Sequence, residues 1–142
     1  MKKIICFVLV ISILALSICS CGKMSDRIED KDFVLSYAQD SLSVKYCSAE
    51  NAQRFPYAEV VNCTLKAEDS VLTITHGEEV FVGTYELIKT LDNYVLYLFK
   101  IGEEESYASM SKKEHEDGLV EYAIIWSAKG QTLNFTSGKI SK

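Results

Sequence analysis

The sequence is poor in residues arranged for catalysis. Its two histidines, His76 and His115, stand in predicted polar turns, at a spacing that matches no known set of metal ligands. It contains no Gly-x-Ser-x-Gly nucleophile elbow, no glycine-rich phosphate loop and no cysteine in a recognised catalytic context. We therefore expect a protein that is not an enzyme and that needs neither a metal ion nor another cofactor.

Positive charge is also scarce. The chain has 15 Lys and Arg against 20 Asp and Glu, which gives a formal net charge of −5. An acidic surface is repelled by the phosphates of nucleic acids and by anionic lipid headgroups. The composition therefore argues against nucleic acid as a partner, whereas a cationic partner stays open.

Sustained helical periodicity is missing after residue 32, so an α/β fold is not expected. Apolar residues alternate with polar ones instead, and β-branched and aromatic residues dominate, as is typical of half-buried strands. The apolar positions of the predicted strands are Phe33, Leu35 and Tyr37; Leu42, Val44 and Tyr46; Val61, Cys63 and Leu65; Leu72 and Ile74; Phe81, Tyr85 and Leu87; Tyr94 to Phe99; Val120, Tyr122, Ile124 and Trp126; and Leu133 and Phe135.

Short turns between these strands predict an all-β fold built as one antiparallel meander of about eight to nine strands. A small closed barrel is favoured because closure removes exposed strand edges, and a β-sandwich is the alternative. Gly83 marks a predicted bulge or kink inside its strand. The longest break, Ser48 to Tyr57, holds the only proline, Pro56, and is predicted to contain a short helix at Ser48 to Arg54.

Residues 1–20 have the pattern of a secretory signal. Lys2 and Lys3 form a positive beginning, and Ile4 to Ile18 form an apolar run. The run is shorter than the roughly 18 residues of a membrane-spanning helix, and no stop-transfer cluster follows it. Removal of this segment is therefore predicted, and an uncleaved anchor is the alternative.

The end of that run, Ile18-Cys19-Ser20-Cys21-Gly22, resembles the lipobox of bacterial lipoproteins. Ile18 fits the aliphatic position three before the modified cysteine, and Ser20 fits the small position just before it. Cys21 is preferred to Cys19 because bulky Ile18 would otherwise occupy the small position. The resemblance implies a diacylglyceryl group on Cys21, with acyl chains such as palmitate. The protein would then be anchored to a membrane of the bacterial envelope, on the extracytoplasmic side.

Cleavage before Cys21 would leave 142 minus 20, or 122, residues and would change the net charge from −5 to −7 by removing two lysines. Residues 21–32 are predicted to be the lipidated N-terminus and a polar tether. Fully extended, the eleven residues from Gly22 to Asp32 reach about 35 Å. Residues 33–137 are the predicted barrel domain, and 138–142 a polar tail.

Processing would also leave only two free cysteines. Cys6 and Cys19 are lost with the signal and Cys21 carries lipid, so Cys47 and Cys63 are a possible disulfide in a compartment that can be oxidising. The strand pattern places Cys63 on an apolar face and Cys47 on a polar one. Two separate thiols are therefore an equal alternative.

The strand Phe81-Val82-Gly83-Thr84-Tyr85-Glu86-Leu87 looks like the Gly-x-Tyr or Gly-x-Trp strand of small lipocalin-like domains. The resemblance implies a barrel that can carry a small apolar ligand. Tyr85, Tyr97, Tyr122 and Trp126 are the candidates to line such a cavity, and their alternative role is to fill the barrel core.

Three functions fit these patterns. The first is a non-catalytic lipoprotein that acts through protein interaction or envelope maintenance. The second is a carrier of a small apolar ligand. The third is an inhibitor of an enzyme such as lysozyme, because Trp126-Ser127-Ala128-Lys129-Gly130 is similar to a Trp-x-x-Lys-Gly stretch of small lipoprotein barrels in that inhibitor family.

We predict that Cys21→Ala abolishes lipid attachment and leaves the β-domain folded, because the change removes the side chain that would carry the lipid. Metabolic labelling with radioactive palmitate measures the attachment. Cys19→Ala is the matched control and should keep the label. A labelled Cys21→Ala protein would contradict the assignment of Cys21.

Overall fold

The alternating sequence folds into β-strands along almost its whole length. A computed structural model describes residues 24–141, and in these residues no helix is long and apolar enough to cross a membrane. The strands are β1 (Phe33–Gln39), β2 (Val44–Cys47), β3 (Glu59–Val60), β4 (Cys63–Glu68), β5 (Val71–His76), β6 (Glu79–Thr90), β7 (Tyr94–Ile101), β8 (Glu104–Glu114), β9 (Val120–Ala128) and β10 (Gln131–Ile140).

Eight of the ten strands close into an antiparallel barrel. Strands β4 to β10 are neighbours in chain order, and β1 closes the circle between β4 and β10. Strand β2 pairs with the later part of β1, and β3 runs parallel to β2. The all-β barrel prediction is therefore confirmed, and the sandwich alternative is wrong. Two strands, β3 and β8, were not among the predicted ones.

One face of each barrel strand forms a continuous core. In β9, for example, Val120, Tyr122, Ile124 and Trp126 are buried and the residues between them are more exposed, as the alternation predicts. The largest fully buried barrel side chains are Tyr97, Phe33, Phe99, Phe135, Leu65, Leu72, Met110, Ile124, Val95 and Val120.

A bulge in β1 changes which of its residues face inward. The register with β10 shifts between Leu35 and Tyr37, so that Ala38 is buried after Leu35. Tyr37, predicted to share the inward face, is instead half-buried and packs against the Phe55 ring at 5.4 Å. An extra residue in one strand reverses the alternation beyond it.

The connection between β2 and β3 contains less helix than predicted. A single turn of 3-10 helix covers Ala49–Asn51, and the predicted helix to Arg54 does not form. Asn51 donates to the Ser36 hydroxyl at 3.0 Å, which ties this turn to β1. Leu42, a predicted strand residue, is 86% exposed in the β1–β2 turn, where Asp40 accepts two backbone hydrogen bonds.

The segment 24–32 is docked on one end of the barrel instead of forming an extended tether. Ile28 is fully buried and Met24 nearly so, and both belong to the barrel core. Because an apolar side chain gains roughly 1.5 to 3 kcal/mol on burial, these two residues hold the segment against the barrel. At the other terminus, β10 continues to Ile140, beyond the predicted domain boundary at 137.

Gly83 allows two strands to approach closely. The register is regular at Gly83, and the bulge in β6 lies between Leu87 and Lys89. A Cβ atom at Gly83 would lie 2.1 Å from the carbonyl oxygen of Lys100. Glycine is therefore required for contact with β7 and not for a bulge at this position.

We predict that Gly83→Ala lowers the free energy of unfolding by about 1–3 kcal/mol, the usual cost of overpacking. Urea unfolding followed by Trp126 fluorescence measures this change. Glu86→Ala, an exposed change on the same strand, should cost less than about 0.5 kcal/mol. Equal stability of Gly83→Ala and the unchanged protein would contradict the close approach of β6 and β7.

Candidate ligand-binding cavity

The barrel contains a cavity at one end, which we call the open end. This end is formed by the β5–β6, β7–β8 and β9–β10 turns. The cavity has a volume of about 690 Å³. Its apolar lining residues are Leu35, Ala38, Tyr46, Val61, Cys63, Ile74, Phe81, Ile101, Trp126, Ala128 and Leu133.

Small side chains create the empty space. Ala38, Cys63, Ser106 and Ala128 all face the cavity. Deeper in the barrel, the corresponding inward positions of β7 carry the buried rings of Tyr97 and Phe99. An eight-stranded barrel is just wide enough to be filled by side chains. Small residues at the open end therefore leave room that large ones fill elsewhere.

Trp126 separates the cavity from the packed part of the core. Its ring meets the Phe99 ring edge-on, with centroids 5.5 Å apart. Its indole N–H donates to the Ser106 hydroxyl at 2.7 Å. Because a buried indole N–H needs an acceptor, Ser106 on β8 fixes the orientation of this ring.

Charged residues surround the entrance. Glu104, the first residue of β8, and Lys129, in the β9–β10 turn, form an ion pair at 3.4 Å. Glu103 and His76 also line the entrance, and the His76 ring lies 6.4 Å from that of Tyr46. A ligand would thus meet polar groups at the entrance and apolar ones within.

The opposite end of the barrel, which we call the sealed end, is closed by residues 24–32. The backbone N–H of Ile28 donates to the Tyr97 hydroxyl at 3.0 Å. The Tyr85 hydroxyl donates to Glu29 Oε1 at 2.7 Å, and the Tyr122 hydroxyl donates to Asp26 Oδ1 at 2.6 Å. Three tyrosines therefore attach the docked segment to the barrel wall.

Two tyrosines and one aspartate at the sealed end have shifted pKa values. Burial raises the pKa of Tyr85 to about 12, and its hydrogen bond to Glu29 adds to the rise. Burial also raises the pKa of Tyr122 to about 12, with a further contribution from Asp26. Burial opposes ionisation of Asp26, but hydrogen bonds from Tyr122 and Lys112 outweigh it and lower the pKa of Asp26. Both tyrosines are therefore neutral donors near neutral pH.

The predicted cavity residues divide between the two ends. Trp126 lines the cavity, as predicted. Tyr85, Tyr97 and Tyr122 are buried in the core at the sealed end and bond to the docked segment, which is the alternative role given for them above. Leu35, Ile74 and Leu133 also line the cavity but were not predicted to do so, although their alternation placed them on the inward face.

Cys47 and Cys63 are separate free thiols, both buried, so the possible disulfide is not formed. Cys63 belongs to the barrel core and lines the cavity, whereas Cys47 lies outside that core cluster. Burial raises the pKa of Cys63 to about 11. The thiol is therefore protonated near neutral pH and behaves as a small apolar side chain.

The predicted histidine turns hold no metal-binding cluster. His115 lies 3.2 Å from Glu121, and within residues 24–141 no group of three or more potential ligands is placed to hold a metal ion. Cys21 and the signal segment lie outside the described residues. No protein-family model, no curated protein and no solved structure matches this chain.

We predict that the free energy of unfolding falls as the pH rises from about 10 to about 12. A tyrosine in the unfolded chain has a pKa of about 10. In the folded protein, Tyr85 and Tyr122 have pKa values of about 12. In this interval the folded state binds more protons than the unfolded state, so stability decreases with pH. Urea titrations across the interval measure the slope.

Tyr122→Phe should reduce this slope because it removes one of the groups whose pKa is raised in the folded protein. Tyr107→Phe is the control, since the Tyr107 ring is exposed on the barrel exterior. The same slope in both variants would show that Tyr122 does not bind its proton more tightly on folding.

Proposed function

We propose that this protein is a lipid-anchored carrier of a small, largely apolar molecule. The supporting observation is the cavity of about 690 Å³ at the open end of the barrel. Small-molecule cavities have volumes of roughly 300 to 1,000 Å³ and a mainly apolar lining. The size and lining of this cavity favour the carrier over the other two functions that the sequence left open.

The lining also restricts the chemistry of the ligand. Inside the cavity, Ser106 is already bonded to Trp126, and the remaining polar side chains stand at the entrance. A polar group of the ligand that entered without a partner would cost roughly 2–7 kcal/mol. Each 100 Å² of apolar ligand surface would instead gain about 2.5 kcal/mol. The ligand should therefore have an apolar body and hold any polar group at the entrance.

Anchoring through Cys21 would direct the open end away from the membrane. Met24 lies at the sealed end, where its N–H donates to the carbonyl of Leu91 at 3.2 Å. Only three Cα-to-Cα steps separate Cys21 from Met24, which span at most about 11 Å. The sealed end would thus lie next to the bilayer, and ligand would enter from the aqueous side of the envelope.

The stretch from Trp126 to Gly130, which resembles lysozyme inhibitors, has a structural role within the barrel. Trp126 is buried beside the cavity, and Lys129 pairs with Glu104 across the entrance. Lys129 and Gly130 both have positive φ and form the β9–β10 turn. These residues have structural tasks that need no target enzyme, which is a reason to prefer the carrier.

We predict saturable binding of N-phenyl-1-naphthylamine, a neutral apolar fluorophore, to residues 21–142 carrying Cys21→Ser. Ala128→Trp should weaken this binding roughly tenfold or more, since its ring would occupy the cavity that Ala128 lines. The rise of probe fluorescence on titration measures the affinity.

Ser127→Trp is the matched control. Ser127 adjoins Ala128 but faces outward and is exposed, so the same ring at this position should leave probe affinity unchanged. Native mass spectrometry of protein isolated from its own cells would then identify a natural ligand by mass. Absence of saturable probe binding, or equal weakening by both variants, would contradict the carrier proposal.

A further inference from the structure

Strand β6 extends beyond its neighbour β7 at the open end. Residues Glu79 to Thr84 pair with β5, but β7 pairs with β6 only from Thr84 onward, where Lys100 is the partner. Within residues 24–141, the first four residues of β6, Glu79 to Val82, therefore have a neighbouring strand on one side only, whereas Gly83 lies against Lys100 of β7. Strand β6 thus projects past the β7–β8 turn, and we call the space between this turn and the unpaired side of β6 the gap.

Backbone groups of Val80 and Val82 point into this gap. In an antiparallel ladder, alternate residues direct their N–H and C=O groups toward opposite neighbours. The N–H of Tyr85 donates to Ser70, on the β5 side, and the register from Val71 to His76 is regular. Odd-numbered residues of β6 thus face β5, and the groups of Val80 and Val82 form an edge open to another strand.

The side chains on this edge are apolar and exposed. Val80 is 59% exposed, Val82 62% and Phe81 44%, with Phe81 lining the cavity entrance. Natural proteins usually protect such edges with lysine, proline or a bulge placed on the edge itself. The stretch Val80-Phe81-Val82 has none of these, which is the pattern of an edge that pairs with a partner.

Negative charge surrounds the edge. Glu78 lies in the β5–β6 turn, Glu79 begins β6, and Glu103 lies in the β7–β8 turn across the gap. All three are exposed, and none forms an ion pair with a residue of the described chain. A second copy of this chain would bring like charges together, so a basic partner fits and self-association does not.

We propose that the edge from Glu79 to Val82 binds an extended, basic segment of another protein as an added strand of the barrel. The backbone of the segment forms hydrogen bonds with the N–H and C=O groups of Val80 and Val82. Its side chains alternate between contacts with these valines on the outside of the barrel and contacts with Phe81 on the inside. Its lysine or arginine residues pair with Glu78, Glu79 and Glu103. This surface borders the cavity at Phe81 and Glu103, which line its entrance.

The test uses the full chain in neutral detergent and a fluorescein-labelled peptide in which lysine and valine alternate. Fluorescence anisotropy should show saturable binding that weakens at high salt. The same peptide methylated on alternate backbone nitrogens keeps its charge but loses the backbone N–H donors at those positions. It should bind at least roughly tenfold more weakly than the unmethylated peptide. Equal binding of the two peptides would overturn the proposal and indicate charge attraction alone.

Val82→Pro tests the protein side of the pairing. Proline at Val82 removes only an N–H that points into the gap, so the ladder to β5 stays intact and the protein folds. The peptide affinity of Val82→Pro should be roughly tenfold lower than that of the unchanged protein. Val82→Thr keeps the N–H and the β-branched shape, so its peptide affinity should lie within about twofold of the unchanged protein's. Circular dichroism and probe binding in the cavity report folding of each variant.

Charge reversal gives a test that does not alter the strand edge. A protein carrying Glu78→Lys, Glu79→Lys and Glu103→Lys should no longer bind the basic peptide. It should bind instead a peptide in which glutamate and valine alternate. Absence of any peptide binding, or unchanged peptide preference in the reversed protein, would overturn the proposal. Sedimentation showing a dimer that Val82→Pro disperses would overturn it in favour of self-association.

Discussion

The burial of Ile28 at one end of the barrel is the contact on which the rest of the molecule depends. A barrel removes sheet edges but leaves two ends, and each end must be filled, covered or used. Ile28 is fully buried, and its backbone N–H donates to the hydroxyl of Tyr97, which points into the barrel. This contact satisfies a buried polar group on each partner and completes the core at the sealed end. The apolar cavity lies at the other end.

The size of the inward side chains accounts for this asymmetry. Tyr97 and Phe99 fill the barrel near the docked segment, and Trp126 forms the boundary beside Phe99. Beyond Trp126, small residues such as Ala38 and Ala128 line the wall. The same backbone geometry thus gives a packed core in one half and a cavity in the other. Binding of an apolar ligand would bury the surface that the small residues leave exposed.

Alternation in the sequence was sufficient to predict the barrel, because each half-buried strand must place its apolar residues on one face. Strand β9 follows this pattern without exception. Strand β8 escaped prediction because its inward residues, Ser106, Ala108 and Met110, are small or flexible and stand among serines and charges. Small residues fit there because large rings stand opposite them. Those rings belong to other strands, so the sequence of β8 alone does not reveal this.

The site could be predicted only in part, for a physical reason. Alternation correctly placed Tyr85, Tyr97 and Tyr122 inside the barrel, but it does not say at which end an inward residue lies. That depends on where residues 24–32 dock, and their polar composition conceals the two buried anchors, Met24 and Ile28. The bulge near Tyr37 likewise depends on pairing with β10, which is distant in the chain.

The most direct test of a barrel with one sealed and one open end is a methyl NMR titration with N-phenyl-1-naphthylamine. Methyl signals of Leu35, Ile74 and Leu133 should shift as the probe fills the cavity that they line. The methyl signals of Ile28, beneath Tyr97 at the sealed end, should stay in place. Shifts at Ile28 that match those at Ile74, or no shift at any of these methyl groups, would contradict the account.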